Sequence, residues 1–487
     1  MEFLHTQYFD FSLFNVFGVL ILMLLIYYKK QRKEIIKYKR CASLFDGPST
    51  FPYFGNSLEF VLHPEESAQK IIHYTEKYGS KYRLWIGGQL AVVIADANDA
   101  EIILRSSKCL NKGKNFHDLF GRGFANTPFV SEGDEWKKIR SLLQRPFAPS
   151  AINNYIEAMN DGARMLVKKL EPEVGVNTVF NVESYISNTA FYIACRAFFD
   201  SEKPAISEEN FPAFKKATGE IFMDSFSLMF YPKLIRKIKQ LNNREKLKEA
   251  MNILGLPYYK LAAEGKLNKK QAQSQNGVID NNQNHNRPCE SLIEHIRNDT
   301  FSTEQKESLI TVFASAGSET TATATCFTLL ILGMHQKIQD KAYEELKGIF
   351  GDSDRDATMD DIKEMHYMEQ VIKEVLRIFP LAPFLFRTPC EDITLGNVTI
   401  PSGTQLIINL FGLHKNPKYF PDPHEFNPEN FSEERSKNLP KGCYLPFVIG
   451  ARSCFGKTFA MCKMKILCSA MLRKYRIHSG KKISDVN

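Results

Sequence analysis

Residues Pro446 to Gly456 read PFVIGARSCFG, and no other stretch narrows the possible folds as far. A helical pattern follows at once, with Ala460, Met464, Leu467, Met471 and Leu472 recurring at three- and four-residue steps. Cys454 therefore stands just ahead of a helix. There the positive end of the helix dipole and free backbone N–H groups favour a thiolate, the form in which cysteine binds a metal. Gly450 and Gly456 permit a tight turn and close approach by a flat ligand, Phe447 can cover the sulfur, and Arg452 can pair with an acidic group. Taken alone, one cysteine fits equally well a buried structural residue or a nucleophile served by a remote histidine. The combined spacing F-x-x-G-x-R-x-C-x-G is what favours a ligand.

Three further stretches need the same weighing. SLITVFASAGSETTATATCFTLLILGMHQ, around Gly317, predicts a long, largely apolar helix crossing a whole domain. Its centre is rich in threonine, whose hydroxyl can take over a backbone carbonyl and open the helical ladder locally. A core helix with one wet edge is the plainer alternative. Glu374 and Arg377 in VIKEVLRIF lie on one helical face, as an exposed ion pair also would. Trp136 and Arg140 in EWKKIRSLLQRPF are one turn apart, so an indole N–H and a guanidinium could reach one carboxylate. A local cation–π pair worth about 1 kcal/mol is the alternative there.

These stretches, in this order along most of the chain, resemble the cytochrome P450 superfamily, and most nearly its family 4 clan of animal enzymes. The resemblance implies a mainly α fold with a small β-sheet subdomain near the N-terminus and haem b (iron protoporphyrin IX) between the long helix and the cysteine loop. Cys454 would be the axial iron ligand, whose electron push favours O–O cleavage. Trp136, Arg140, Arg387 and Arg452 would meet the haem propionates. Ala316-Gly317-Ser318-Glu319-Thr320-Thr321 looks like the oxygen-activation segment, with Glu319 and Thr320 as the proton relay. Glu374 and Arg377 match the E-x-x-R element that locks the cysteine loop. Its usual third member, in P-E-R-F, is here Asn430 of Pro428-Glu429-Asn430-Phe431, which lacks an arginine's charged fork and implies a slightly looser loop.

Many family 4 enzymes carry a glutamate where this chain has Ala316, and that glutamate can form an ester with a haem methyl group. A methyl side chain cannot, and Glu319 projects about 300° further round the helix. Non-covalent haem is the expectation. The implied reaction is R–H + O2 + NADPH + H+ giving R–OH, water and NADP+. No G-x-G-x-x-G follows a strand, so NADPH would act through a separate NADPH–cytochrome P450 reductase, with cytochrome b5 as a further donor. Competing readings are a haem-thiolate isomerase or dehydratase acting on a peroxide, a non-catalytic haem protein, and zinc binding by the irregularly spaced Cys443, Cys454, Cys462 and Cys468.

Phe11 to Tyr28 (FSLFNVFGVLILMLLIYY) carries no charge and would span about 27 Å as a helix, enough to cross a bilayer core. Lys29, Lys30, Arg32, Lys33, Lys37, Lys39 and Arg40 follow it, so the positive-inside bias leaves residues 1–10 lumenal and everything after 28 cytosolic. This predicts a single-pass anchor, at the endoplasmic reticulum membrane given the resemblance, then a basic Pro/Gly-rich linker at 29–56 and a catalytic domain at 57–487. Within that domain the Asn- and Gln-rich 268–288 reads as a mobile loop. The ten cysteines lack the paired spacing of a secreted framework, which suits a reducing compartment. A net charge of +8 suits a membrane surface or an acidic partner rather than nucleic acid. Lys137, Lys138, Lys441 and Lys463 are expected to form the basic surface that docks the reductase. Loops at 109–130, 211–232 and 381–386 are aromatic and aliphatic, implying a lipophilic substrate. The chain ends at KYRIHSGKKISDVN, where related enzymes continue into a pair of strands, so an open pocket is expected.

Overall fold

The computed structural model describes residues 36–51, 54–86, 89–113, 116, 120, 127–176, 179–199, 211–213, 215, 216, 219, 220, 228, 231, 292–298 and 301–480. The expected anchor at 11–28, the residues before it, the first part of the linker and the loop at 268–288 lie outside the described residues. Among the described residues no helix is long and apolar enough to cross a membrane.

Alternation in KYRLWI buries Tyr82, Leu84 and Ile86 on one face of β1 (Lys81–Ile86). β2 (Gln89–Ile94) returns antiparallel, with Lys81 opposite Ile94. The third strand in space comes from far along the chain: β6 (Gln405–Asn409) lies parallel to β2, and β3 (Phe384–Arg387) closes the sheet antiparallel to β6. Consecutive apolar residues in QLIIN suit a strand covered on both faces, and every residue of β6 is buried. The sheet thus takes half its strands from residues 384–409 rather than from the N-terminal region alone. β4 (Ile393–Leu395) and β5 (Val398–Ile400) form a separate hairpin. The linker is tied to this sheet. Arg83 N–H donates to Asp46 O at 2.9 Å, and Gly55, at φ 62, bridges to Ile86 where a Cβ would lie 2.3 Å from the Trp85 carbonyl oxygen.

The helices supply the bulk. α1 (Ala97–Arg105) is capped by Asp96, whose side chain accepts from the N–H groups of Asn98 and Asp99. α2 (Gly133–Leu143), α3 (Ile156–Leu170) and α4 (Glu183–Phe199) follow, then α5 (Thr303–Met334), α6 (Gln336–Phe350), α7 (His366–Ile378), α8 (Leu410–His414) and α9 (Lys457–Lys474). The 32 residues of α5, begun by a reciprocal Ser302–Gln305 capping box, make a rod about 48 Å long. It packs along α4 and against α9 and α7, and α9 in turn packs on α3. The largest apolar cluster fills the space between them, with Phe147, Phe198 and Phe313 in mutual ring contact and Phe459 against Phe198.

The threonine-rich centre does not break α5. Thr320, Thr321, Thr323, Thr325 and Thr328 each donate a hydroxyl hydrogen bond to the carbonyl four residues back, and the helix runs through unbroken. The hydroxyls share those carbonyls with the helical N–H groups rather than displacing them.

Candidate active site

Cys454 lies in the loop that enters α9. Its N–H donates to the Phe447 carbonyl at 2.9 Å, and Ser453 N–H to the Gly450 carbonyl at 3.1 Å, closing the turn. Gly450 stands at φ 78, where a Cβ would meet the Leu104 carbonyl oxygen at 2.1 Å. Gly456 has open space where a Cβ would go, so it leaves room rather than relieving a clash. Val448, at φ 60, is the one non-glycine residue held in the left-handed region among the described residues.

The Cys454 side chain is accessible, yet burial among surrounding protein pushes its thiol pKa up. The two facts describe a sulfur facing an internal hollow. An N–H from Gly456 and the nearby Arg140 pull the other way.

The opposite wall belongs to α5. Ala316, Thr320 and Thr323 recur on one face and are exposed, although the neighbouring Ala314, Ser315, Ser318, Thr321 and Ala322 are buried. Glu319 is half-buried one step from this stripe. Phe455, beside the cysteine, packs on Phe313 at 6.2 Å and Phe147 at 5.9 Å, which sets the cysteine loop against this part of α5.

Four cations gather beside the cysteine loop. Arg452 stacks over the Trp136 ring at 4.1 Å and donates to the carbonyls of Leu110, Pro128 and Ser131. Arg140 donates to the Ser453 carbonyl at 2.6 Å and lies 3.9 Å over the Phe455 ring. Arg387, at the end of β3, is buried and donates to the Phe386 carbonyl. Lys112, which sequence reasoning missed, lies over Phe116 and Phe129 at 4.4 and 4.0 Å. Among the described residues none of the four has a carboxylate within ion-pair distance. Glu132, the nearest acid acting on Arg452 and Lys112, spends one oxygen on the N–H groups of Lys112 and Gly113. Burial first, and then the neighbouring cations, hold Arg452 down to about 9 and lower Lys112. Burial alone brings Arg387 down to about 10. Such a set favours an anion placed among them.

Glu374 and Arg377 on α7 are fully buried and paired through two bonds of 2.7 Å. Arg377 also donates to the carbonyls of His414, Pro423 and Glu425, so all five of its N–H groups are used. Asn430 donates its amide N–H to Glu374 Oε1 at 2.9 Å, filling the third corner without an arginine. Arg377 holds the segment ahead of the cysteine loop rather than the loop itself. The connection runs through His414, whose Nε2 accepts from Leu445 N–H at 2.9 Å. Burial, with Arg377 next to it, pushes His414 down to about 3 and keeps its ring neutral.

Lys463 departs from expectation. It does not contribute to a basic docking surface, because it is fully buried in α9. The zinc reading has no support in the geometry either: among the described residues no three of Cys443, Cys454, Cys462 and Cys468 come close enough to share an ion. The loops expected to shape a substrate pocket meet in part. Phe116, Phe120, Phe129 and Phe386 form one aromatic cluster, whereas most of 211–232 lies outside the described residues.

A thiol open to a hollow, a facing helical stripe with one free methyl and two hydroxyls, and a buried cation group short of anions fit a haem with two carboxylates. Comparison with known proteins agrees. The family model described as Cytochrome P450 matches residues 46–487. Cytochrome P450 4c3 of Drosophila melanogaster is 29% identical over 498 residues, covering 96% of this chain and 89% of the relative. Cytochrome P450 4V2 of Homo sapiens is 31% identical over 449 residues, covering 90% and 84%. Cytochrome P450 4c21 of Blattella germanica is 29% identical over 476 residues, covering 96% and 93%. The chain belongs to the cytochrome P450 superfamily, in its family 4 clan, and is a haem-thiolate monooxygenase.

Proposed function

We propose that this chain inserts one oxygen atom of O2 into a lipophilic substrate, with electrons passed from NADPH by a separate reductase and Cys454 as the axial ligand of a non-covalent haem b. The observation that carries the reading is the accessible Cys454 side chain in a loop that Phe455 packs against α5, on which Ala316 and Thr320 are exposed. When bound, a thiolate-ligated haem supplies dioxygen activation for attack on an unreactive C–H bond. Arg140, Arg387, Arg452 and Lys112 would neutralise its propionates, and the Trp136 N–H would help to orient them.

The residues of the chain have separate tasks in that reaction. Thr320 presents a hydroxyl at the hollow, hydrogen-bonded to the Ala316 carbonyl at 3.1 Å, and can pass a proton on by rotating away from it. Glu319, half-buried next to it, is the proton source. Phe327, four residues beyond Thr323, stacks on Phe379 at 4.4 Å, so the stripe ends in an apolar surface that suits a lipophilic substrate. Membrane lipid at the endoplasmic reticulum, an anchor at 11–28 and cytochrome b5 as a further electron donor complete the reading.

Reconstitution tests it. Purified protein, NADPH–cytochrome P450 reductase and a panel of fatty acids, steroids and xenobiotics should consume NADPH in step with oxygenated product. Rearrangement of a hydroperoxide without NADPH, and no oxygenation of any substrate, would replace this reading with that of an isomerase.

A further inference from the structure

Lys463 is a fully buried lysine with no carboxylate in ion-pair reach among the described residues. Its ammonium donates to two main-chain carbonyls that belong to other helices, Ala190 of α4 at 2.8 Å and Gly317 of α5 at 3.0 Å. The Phe459 ring, centred 5.8 Å away, takes the remaining side. Burying an amine in this way is costly, and burial alone lowers its pKa to about 7, against a small opposing contribution from Cys195. An apolar side chain of similar length would fill the same space without that cost. Only the contact with the two carbonyls distinguishes the lysine.

One of those carbonyls is in the functional stretch of α5. Gly317 follows Ala316 and precedes Thr320 by three residues, so its peptide lies within the turn that carries two of the three accessible residues of the stripe. Its oxygen already receives the Thr321 hydroxyl at 3.1 Å besides the helical N–H of Thr321. A carbonyl has two lone pairs, so Lys463 is a third donor competing for them. At Gly317 α4 also presses close, since a Cβ there would lie 2.6 Å from Phe198 Cε2. The turn is therefore gripped from the side away from the hollow, by packing and by one polar contact.

The geometry points to Lys463 as a positioning residue for oxygen activation: from behind α5 it fixes the Gly317 carbonyl, and thereby the turn on which Thr320 offers its proton. This rests on the reading of the site proposed above. Thr320 must leave the Ala316 carbonyl and reach the hollow without the helix tilting, and a fixed Gly317 peptide holds the rest of that turn still.

Lys463→Met keeps the length and apolar bulk and removes the donor, and Lys463→Gln keeps a shorter donor. Haem content, the reduced carbon monoxide spectrum, KM, and the division of NADPH between product and peroxide would be measured for each with reductase. Peroxide forms as O2 + NADPH + H+ giving H2O2 and NADP+, so its amount per NADPH consumed counts the electron pairs diverted from product by this route. The Met variant should keep the thiolate-type spectrum and KM while its peroxide share per haem rises several-fold, with Gln in between. Equal peroxide shares in wild type and Met variant, at equal haem content, would overturn the inference alone. Absence of the thiolate-type spectrum from the wild type would overturn the reading of the site and this inference with it. Should Met fail to hold haem, Gln decides by the same measurements: a wild-type peroxide share overturns the inference and a raised one supports it.

Discussion

Arg377 has a bonding partner for each of its N–H groups and no route to water, so its charge depends on Glu374. Glu374→Ala would leave that guanidinium buried and uncompensated, for which about 3–5 kcal/mol is the expected loss of stability. Urea unfolding measures it, and a loss below about 1 kcal/mol would mean that the carbonyls of His414, Pro423 and Glu425 suffice. Thr320→Ala should leave haem and substrate binding intact and divert NADPH to peroxide, because only proton transfer is disturbed. Unchanged coupling of NADPH to product would remove Thr320 from the relay. The i, i+3 spacing of Glu374 and Arg377 and the glycine–arginine–cysteine spacing around Cys454 were legible because each acts within a short local stretch. Lys112, His414 and Lys463 were not. A lysine reads as solvated until the chain segments that bury it are known, and those of Lys463 come from residues 190 and 317.

At the level of elements, α5 carries the hollow on one face and close packing on another. Alanine in place of glycine inside a helix usually gains about 1 kcal/mol. At Gly317 the added methyl would press on Phe198 at 2.6 Å and on Ala194 Cβ at 3.4 Å. Gly317→Ala should therefore lose about 1–3 kcal/mol overall, as overpacked cores do, and show it as a lower Tm. A gain in Tm would show that α4 and α5 yield at no cost. The length of α5 was readable from its apolar run. Its continuity was not, because a threonine hydroxyl that shares a carbonyl and one that displaces the helical N–H have the same sequence signature. β6 was likewise hidden: five residues placed between β2, from the start of the domain, and β3, from far along the chain, carry no local sign of that pairing.

For the whole molecule, the cation cluster beside Cys454 draws on distant parts of the sequence, Lys112 and α2 from the first third and β3 and Arg452 from the last. It offers bonds to the propionates, and Ala316 offers no oxygen for an ester. Acidified organic solvent should therefore extract the haem almost completely. Pigment left on the denatured chain would show a covalent link. The Soret band of the reduced protein under carbon monoxide tests the assignment of Cys454 most directly. Wild type should give the red-shifted band of a thiolate-ligated haem, and Cys454→Ser should lose it together with oxygenation. A serine variant that kept the band would take Cys454 off the iron.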